Sequence, residues 1–219
     1  NGTSGSIVGD LNGKMVRGGK SMLSENGVNA PFIINAPGIV PEGITSHALI
    51  DFSDLLPTLC DLAQISPDKN YEYDGISFAP EIFGLENKSP RDWIMALGSN
   101  PAKIENGRVK NAFNFRDRVF RDKNFKVYID TMNKINEIIE LKSDFYEENN
   151  LIDSDREDVF SAIKKFESVL RKHPSLDASP KYIKSKNSFY DIDSIELLKM
   201  SNKGKLKFNK SRIPIKKDN

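Results

Sequence analysis

The apolar positions change rhythm along the chain. Residues 1 to 30 are rich in Gly, Ser and Asn and hold no sustained period, which predicts a long loop region with little regular structure. Pro31-Phe32-Ile33-Ile34, closed by Ala36-Pro37-Gly38, is a short unbroken apolar run. Such a run suits a strand buried on both faces, as in a parallel or mixed sheet. A helix is expected next, with Ser53 as N-cap and Leu55, Leu56, Leu59 and Leu62 on one stripe. Pro57 falls in its first turn, where a missing N–H costs least. Tyr71 to Gly84 reads as irregular, and Trp93-Ile94-Met95-Ala96-Leu97 as a second buried strand.

Beyond that point the pattern alternates. Arg118 to Arg121 and Phe125 to Ile129 flank Asp122-Lys123-Asn124, a hairpin loop. Asn136 to Leu141 adds a third antiparallel strand. Ser154 and Glu157 predict a capping box for a helix whose face holds Val159, Phe160, Ile163, Phe166, Val169 and Leu170. Pro174 stops it. The fold class expected is therefore an α/β part over residues 1–98, then a small α+β subdomain over 99–178 with an antiparallel sheet and one packed helix. Residues 179–219 read as a basic extension with one short helix, Asp193 to Met200.

Charge sharpens this division. The chain of 219 residues carries a net +1, yet from Lys181 onward 11 Lys or Arg face 4 Asp or Glu. That +7 tail reads as peripheral, free in solvent or lying against the acidic body or a sulfated polymer. The overall balance gives no reason to expect a nucleic-acid partner, and no run of 18 apolar residues exists to span a membrane. The one cysteine, Cys60, excludes an internal disulfide and reads as a buried inert thiol. It does not fix the compartment.

Little chemistry is visible from residue types alone. There is no nucleotide-binding glycine fingerprint, no cysteine-rich zinc pattern and no histidine pair at helical spacing. His47 and His173 read as surface or loop histidines. Asp51, Asp54 and Asp61 cluster near a helix start, where carboxylates favour the helix dipole, and read as structural. Lys20 is different. Gly18 and Gly19 precede it and let the backbone come close to whatever it faces. A lysine ammonium is a compact point charge suited to sulfate or phosphate oxygens. On spacing alone, a solvated loop lysine remains the alternative.

The order of several short motifs adds a resemblance. Asn1-Gly2-Thr3 resembles the Asp-Asn-Gly motif of sulfatases, the arylsulfatase-like family of the alkaline phosphatase superfamily. Gly19-Lys20, Glu25-Asn26-Gly27, Pro31 and Pro37-Gly38 resemble the series that follows it. Asp54-Leu55-Leu56-Pro57-Thr58-Leu59 with Asp61-Leu62-Ala63 is similar to the family's helix. Asp74-Gly75-Ile76-Ser77-Phe78, Gly84 and Arg91-Asp92-Trp93 are similar to the next segment. Phe125-Lys126-Val127-Tyr128, Ile139-Glu140-Leu141 and Asp144-Phe145-Tyr146-Glu147-Glu148-Asn149-Asn150-Leu151 resemble the C-terminal strands and acidic loop.

The resemblance implies a sulfuric ester hydrolase. Asn1 matches the asparagine that binds a divalent metal, usually calcium, through its side-chain oxygen. Lys20 matches the lysine that contacts the substrate sulfate and steadies developing negative charge, and is thus the candidate catalytic and substrate-binding residue. The family's nucleophile is a formylglycine made from a Cys/Ser-x-Pro/Ala-x-Arg motif, and this chain has none. Cys60 is followed by Asp61-Leu62-Ala63-Gln64. The expectation is therefore a C-terminal part, inactive by itself, whose partner is the missing N-terminal half of the same enzyme. The substrate implied is a sulfated small molecule or carbohydrate, and the location exported: periplasmic, extracellular or lysosomal. A phosphodiesterase or phosphonate hydrolase relative, and a non-catalytic remnant binding sulfated ligands, remain as alternatives.

Overall fold

A computed structural model describes residues 3–67, 69–70, 72–85, 89–98, 102–106, 108–111 and 113–177. Asn1 and the extension from residue 178, with the helix expected at Asp193 to Met200, lie outside the described residues. Two compact units are formed. One joins Asn1–Ser99 to Phe115–Asp177, and the other contains Asn100–Asn114 and Ala178–Asn219.

The first thirty residues are more regular than their composition suggests. Strands β1 (Val8–Leu11) and β2 (Lys14–Arg17) pair antiparallel, with Leu11 opposite Lys14. Asn12 and Gly13 form the two-residue turn between them, at φ 54° and 82°. Positive φ at both positions is the geometry that Asn-Gly provides and that follows the twist of the strands. A single helical turn, α1 (Glu25–Val28), comes next.

Pro31 to Ile34, expected as a buried strand, has no strand partner, and Ile33 is 85% exposed. Phe32 is also 55% exposed, although one edge contact sets its ring against Phe78 at 5.8 Å. The helix then starts differently from expectation. Asp51, not Ser53, is the cap. Its carboxylate accepts from the Ser53 N–H at 2.9 Å, and the Asp54 carboxylate accepts from the Asp51 N–H at 2.8 Å. This reciprocal box closes a 3-10 turn, Phe52–Asp54, that runs into α2 (Leu55–Leu62).

The leucine stripe of α2 is also outward: Leu56 is 51% and Leu59 61% exposed. The inward residues are Thr58 and Cys60. The physical reason is local. Thr58 Oγ donates to the Asp54 carbonyl at 2.6 Å and accepts from the Phe78 N–H at 3.0 Å, which fixes the polar side of the helix against the following segment. No described element covers the opposite side. The short helix α3 (Ala79–Ile82) interrupts the stretch expected to be irregular.

Strand β3 (Ile94–Leu97) is present, but as an edge of the antiparallel sheet. In the second unit, β4 (Ala102–Glu105) and β5 (Arg108–Asn111) form a separate antiparallel hairpin. The first unit's sheet is completed by β6 (Arg118–Arg121), β7 (Phe125–Ile129) and β8 (Ile135–Glu140), in the order β3-β6-β7-β8. Asp122 sets the β6–β7 turn, its carboxylate accepting from the N–H groups of Asn124 and Phe125, each at 2.8 Å. Helix α4 (Glu157–Leu170) crosses one face of this sheet.

Phe120, Phe125, Val127, Ile129 and Ile138 meet Val159, Ala162, Phe166, Val169 and Leu170 in the core. Phe160, expected on this face, is 59% exposed. At about 100° per residue it falls outside the arc set by Val159, Ala162 and Phe166. The capping box expected from Ser154 does not form either. Ser154 Oγ accepts from the Arg156 N–H at 3.3 Å, so the serine is spent on the turn before the helix, and Arg156 occupies the N-cap.

Candidate functional site

The segment from Gly18 to Gly27 folds on itself at very short range. A Cβ on Gly18 would lie 2.2 Å from the Ser4 carbonyl oxygen, and one on Gly19 would meet Asn26. A Cβ on Gly27 would fall 2.3 Å from the carbonyl oxygens of both Gly19 and Met22. Three glycines are thus required by packing. Within this fold the Lys20 N–H donates to the Thr3 carbonyl at 2.9 Å, and the Gly18 N–H to the Ile7 carbonyl at 2.9 Å. Ser21 adopts φ 73°, a left-handed conformation unfavourable for a residue with a Cβ. Asn26 closes the loop by donating to the Arg17 carbonyl at 2.7 Å.

Lys20 leaves this frame exposed, and its ammonium forms no ion pair among the described residues. The contrast with other lysines is informative. Lys14 pairs with Glu148 and lies 4.3 Å from the centre of the Tyr146 ring. Lys165 pairs with Asp122 at 2.5 Å, and Lys126 is buried between two glutamates.

That buried cluster lies on the sheet face opposite α4. Strand alternation sends Phe125, Val127 and Ile129 toward α4 and Lys126 and Tyr128 the other way. Lys126 is 0% exposed and donates to Glu147 at 2.6 Å and to Glu25 at 3.2 Å. Glu25, 2% exposed, also accepts from Arg121 at 2.5 Å and Asn29 at 3.2 Å. Glu147 accepts the Glu25 backbone N–H at 3.0 Å and the Tyr128 hydroxyl at 2.5 Å. Burial, then the Glu147 hydrogen bond and charge, push the Tyr128 phenol far above its usual range, so it stays a donor. Burial and the charge of Glu147 also raise the Glu137 carboxyl.

A second cluster ties α2 to the residues after it. Asp54 is 0% exposed and takes Arg91 on both oxygens, with Nε at 2.9 and 2.8 Å. It also accepts the Ile76 N–H at 2.7 Å. Burial pushes this carboxyl up, but the Arg91 hydrogen bond and the backbone donors outweigh it and hold the group below the usual range. Gly75 is required beside it, since a Cβ there would lie 2.0 Å from the Ser53 carbonyl oxygen. Asp51 and Asp61 are likewise engaged locally, with Ser53 and Ser77.

Asn1, the expected metal ligand, lies outside the described residues. Among the described residues no group of three or more His, Cys, Asp or Glu could hold a metal ion, so they do not by themselves make a metal site. Cys60 is buried and unbridged. His173 Nδ1–H donates to the Val169 carbonyl, 2.9 Å away, and the ring packs edge-on against Trp93 and Phe120 at 5.3 Å. Sequence reasoning quoted Glu25, Lys126, Tyr128 and Glu147 only within motifs and missed their meeting. The available signal was Lys126 itself, a charge inside an otherwise apolar strand, which needs buried partners.

Comparison with known proteins follows the same segments. No family model matches the chain. It is 30% identical over 122 residues to the ulvan-active sulfatase of Formosa agariphila, covering 56% of this chain and 22% of that protein. It is 37% identical over 72 residues to human arylsulfatase G, covering 33% of this chain and 14% of that one. With the dog N-acetylgalactosamine-6-sulfatase it shares 35% identity over 66 residues, 30% of this chain and 13% of that one. The matched stretch thus spans less than a quarter of each of these relatives.

Proposed function

We propose, from the premise that this chain belongs to the sulfatase family, that it supplies the sulfate-contacting lysine of a sulfuric ester hydrolase. The observation that carries this is Lys20: a frame of glycines with no room for a Cβ fixes its backbone, while its ammonium stays exposed and unpaired among the described residues. A point charge so held suits sulfate oxygens and would offset the negative charge that grows as the ester bond breaks. Asn1 precedes Thr3, the residue whose carbonyl holds the Lys20 N–H, by two positions. Its side-chain oxygen would be one hard ligand for a calcium ion. The metal and a formylglycine, for which the described residues form no complete site, would supply charge neutralisation and the nucleophile.

A partner is part of the proposal. Ile33, Ile39, Phe52, Leu56 and Leu59 are each largely exposed apolar side chains, the kind of surface a partner covers. It suits a polypeptide carrying the rest of the α/β layer, with Pro31–Ile34 added to its sheet edge. The substrate class favoured is a sulfated carbohydrate, in keeping with one relative named as ulvan-active and another for N-acetylgalactosamine. An exported location goes with this assignment. Among the described residues no helix is long and apolar enough to cross a membrane.

The test is to obtain the coding sequence upstream of Asn1, express the whole reading frame, and compare turnover of nitrophenyl sulfate and nitrophenyl phosphate. A Cys/Ser-x-Pro/Ala-x-Arg motif upstream and preferred sulfate turnover are expected. Preferred phosphate turnover would assign the chain to phosphoryl transfer, and no turnover of either would leave a binding remnant.

A further inference from the structure

We infer that Lys126, with Glu25 and Glu147, is a positioning device that holds the Lys20 loop against the sheet. This rests on the assignment of Lys20 to sulfate contact, and it gives three motifs distant in sequence one physical purpose.

The geometry has three parts. Glu25 opens α1, five residues after Lys20, in the same loop whose glycines admit no Cβ. Lys126 is the second residue of β7, a strand fixed on both sides by β6 and β8. Glu147 comes from the loop after β8, which Asp144 organises by accepting the N–H groups of Glu148 and Asn149 at 2.9 and 2.7 Å. Glu147 itself adopts φ 58°, a left-handed conformation that the surrounding hydrogen bonds must hold.

The connection is doubled. Glu147 grips Glu25 through the backbone N–H, and Lys126 grips both carboxylates from below. Arg121 balances the second negative charge. The cluster holds two cations and two anions, with Lys126, Glu25 and Glu147 buried and Arg121 17% exposed, so losing a buried charge leaves another without its partner.

A contact worth only packing could be apolar here. The other residues of β7 are Phe125, Val127, Tyr128 and Ile129, and well-packed apolar residues in place of Lys126 and both glutamates together would fill the face at less desolvation cost. A charge network instead specifies one register of the loop, because only one placement satisfies every donor. That placement sets the direction of Lys20. Lys126 is 0% exposed and its ammonium is taken up by Glu25 and Glu147, so it acts through the loop.

The experiment uses the full 219-residue chain. Lys126→Met, Glu147→Gln and Tyr128→Phe are compared with wild type by amide hydrogen exchange, alongside inorganic sulfate titration followed at the Lys20 amide by NMR. The loop reporters are the Lys20, Met22 and Gly27 amides, each hydrogen-bonded to a backbone carbonyl. The core reporters are the amides of β6 and β7. Lys126→Met should speed exchange at the loop reporters by about tenfold or more while core amides change less than about threefold, and should weaken the sulfate response at Lys20 by a similar factor. Glu147→Gln should do the same to a smaller extent, and Tyr128→Phe, which removes one hydrogen bond and no charge from the carboxylate pair, should do least.

Equal acceleration in loop and core would overturn the inference, since it would make Lys126 a general stability residue. No change at the loop would overturn it too. If Lys126→Met does not fold, the ranking of Glu147→Gln over Tyr128→Phe at the loop amides decides alone. If the wild-type Lys20 amide never responds to sulfate while the loop is released as expected, the assignment of Lys20 fails and the positioning of the loop stands.

Discussion

Replacing Asp54 by alanine should cost the first unit about 3–4 kcal/mol. Asp54 is fully buried and satisfies Arg91, the Asp51 N–H and the Ile76 N–H together. Removing one member of a buried pair usually costs about 3–5 kcal/mol, because the other charge is left without compensation. The lower part of that range applies. Arg91 remains 14% exposed and keeps the Asp74 carbonyl at 2.7 Å and Ser53 Oγ at 3.2 Å. Urea unfolding followed through Trp93, the one tryptophan, reads the loss, since its ring packs on Phe120 at 5.6 Å. With a slope of about 1–3 kcal/mol per M, the midpoint should fall by roughly 1 to 4 M. Asp61→Ala is the control. Its carboxylate holds only Ser77 Oγ near the surface and should cost less than about 1 kcal/mol. The Asp54 carboxyl is held below its usual range in the native state, so its contribution is complete above the unfolded value and fades as pH falls through the native one. The gap between wild type and Asp54→Ala should therefore narrow below about pH 4. A midpoint shift under about 0.3 M at pH 7, or an undiminished gap at about pH 2, would refute the reasoning.

Gly27→Ala should disturb the Lys20 loop selectively, because its Cβ would meet two backbone carbonyl oxygens that cannot rotate away; faster exchange at the Lys20 and Met22 amides, with β7 unaffected, is the expected reading. Lys14→Ala should lower stability by no more than about 1 kcal/mol, the usual ceiling for an exposed pair such as Lys14 with Glu148, measured by the same urea titration. The 219-residue chain alone should not hydrolyse nitrophenyl sulfate above a buffer blank, since it holds no nucleophile motif; metal-dependent turnover would contradict this. Deleting residues 181–219 from the whole reading frame should change that hydrolysis by less than about tenfold, or 1.4 kcal/mol of barrier.

The antiparallel half was legible because its elements are local. Alternation marks β6, β7 and β8, and the apolar period marks α4, with little need of distant partners. The first hundred residues were harder for two separate reasons. Composition hid the β1–β2 hairpin, although Asn12-Gly13 is a strong turn signal once isolated from the surrounding glycines. The apolar runs at Pro31–Ile34 and along α2 predict burial, whereas Ile33, Leu56 and Leu59 are exposed, because no described residue packs over them. At the candidate site, the tight backbone before Lys20 was legible from Gly18 and Gly19, whereas the cluster of Glu25, Lys126 and Glu147 was not. Glu25, Lys126 and Glu147 are separated by 101 and 21 residues, and only the folded sheet brings them together.

The central claim is that Lys20 is the sulfate-contacting residue of a family member assembled around this chain. Turnover of nitrophenyl sulfate by the whole reading frame, measured for wild type, Lys20→Ala and Lys14→Ala, tests it most directly. Removing one preorganised donor to developing charge typically costs about 100- to 1,000-fold in kcat, and Lys20→Ala should show that loss with an unchanged urea midpoint. Lys14→Ala should stay within about threefold of wild type, as a surface ion pair warrants. Equally mild effects from the two substitutions would make Lys20 an ordinary solvated lysine and contradict the account.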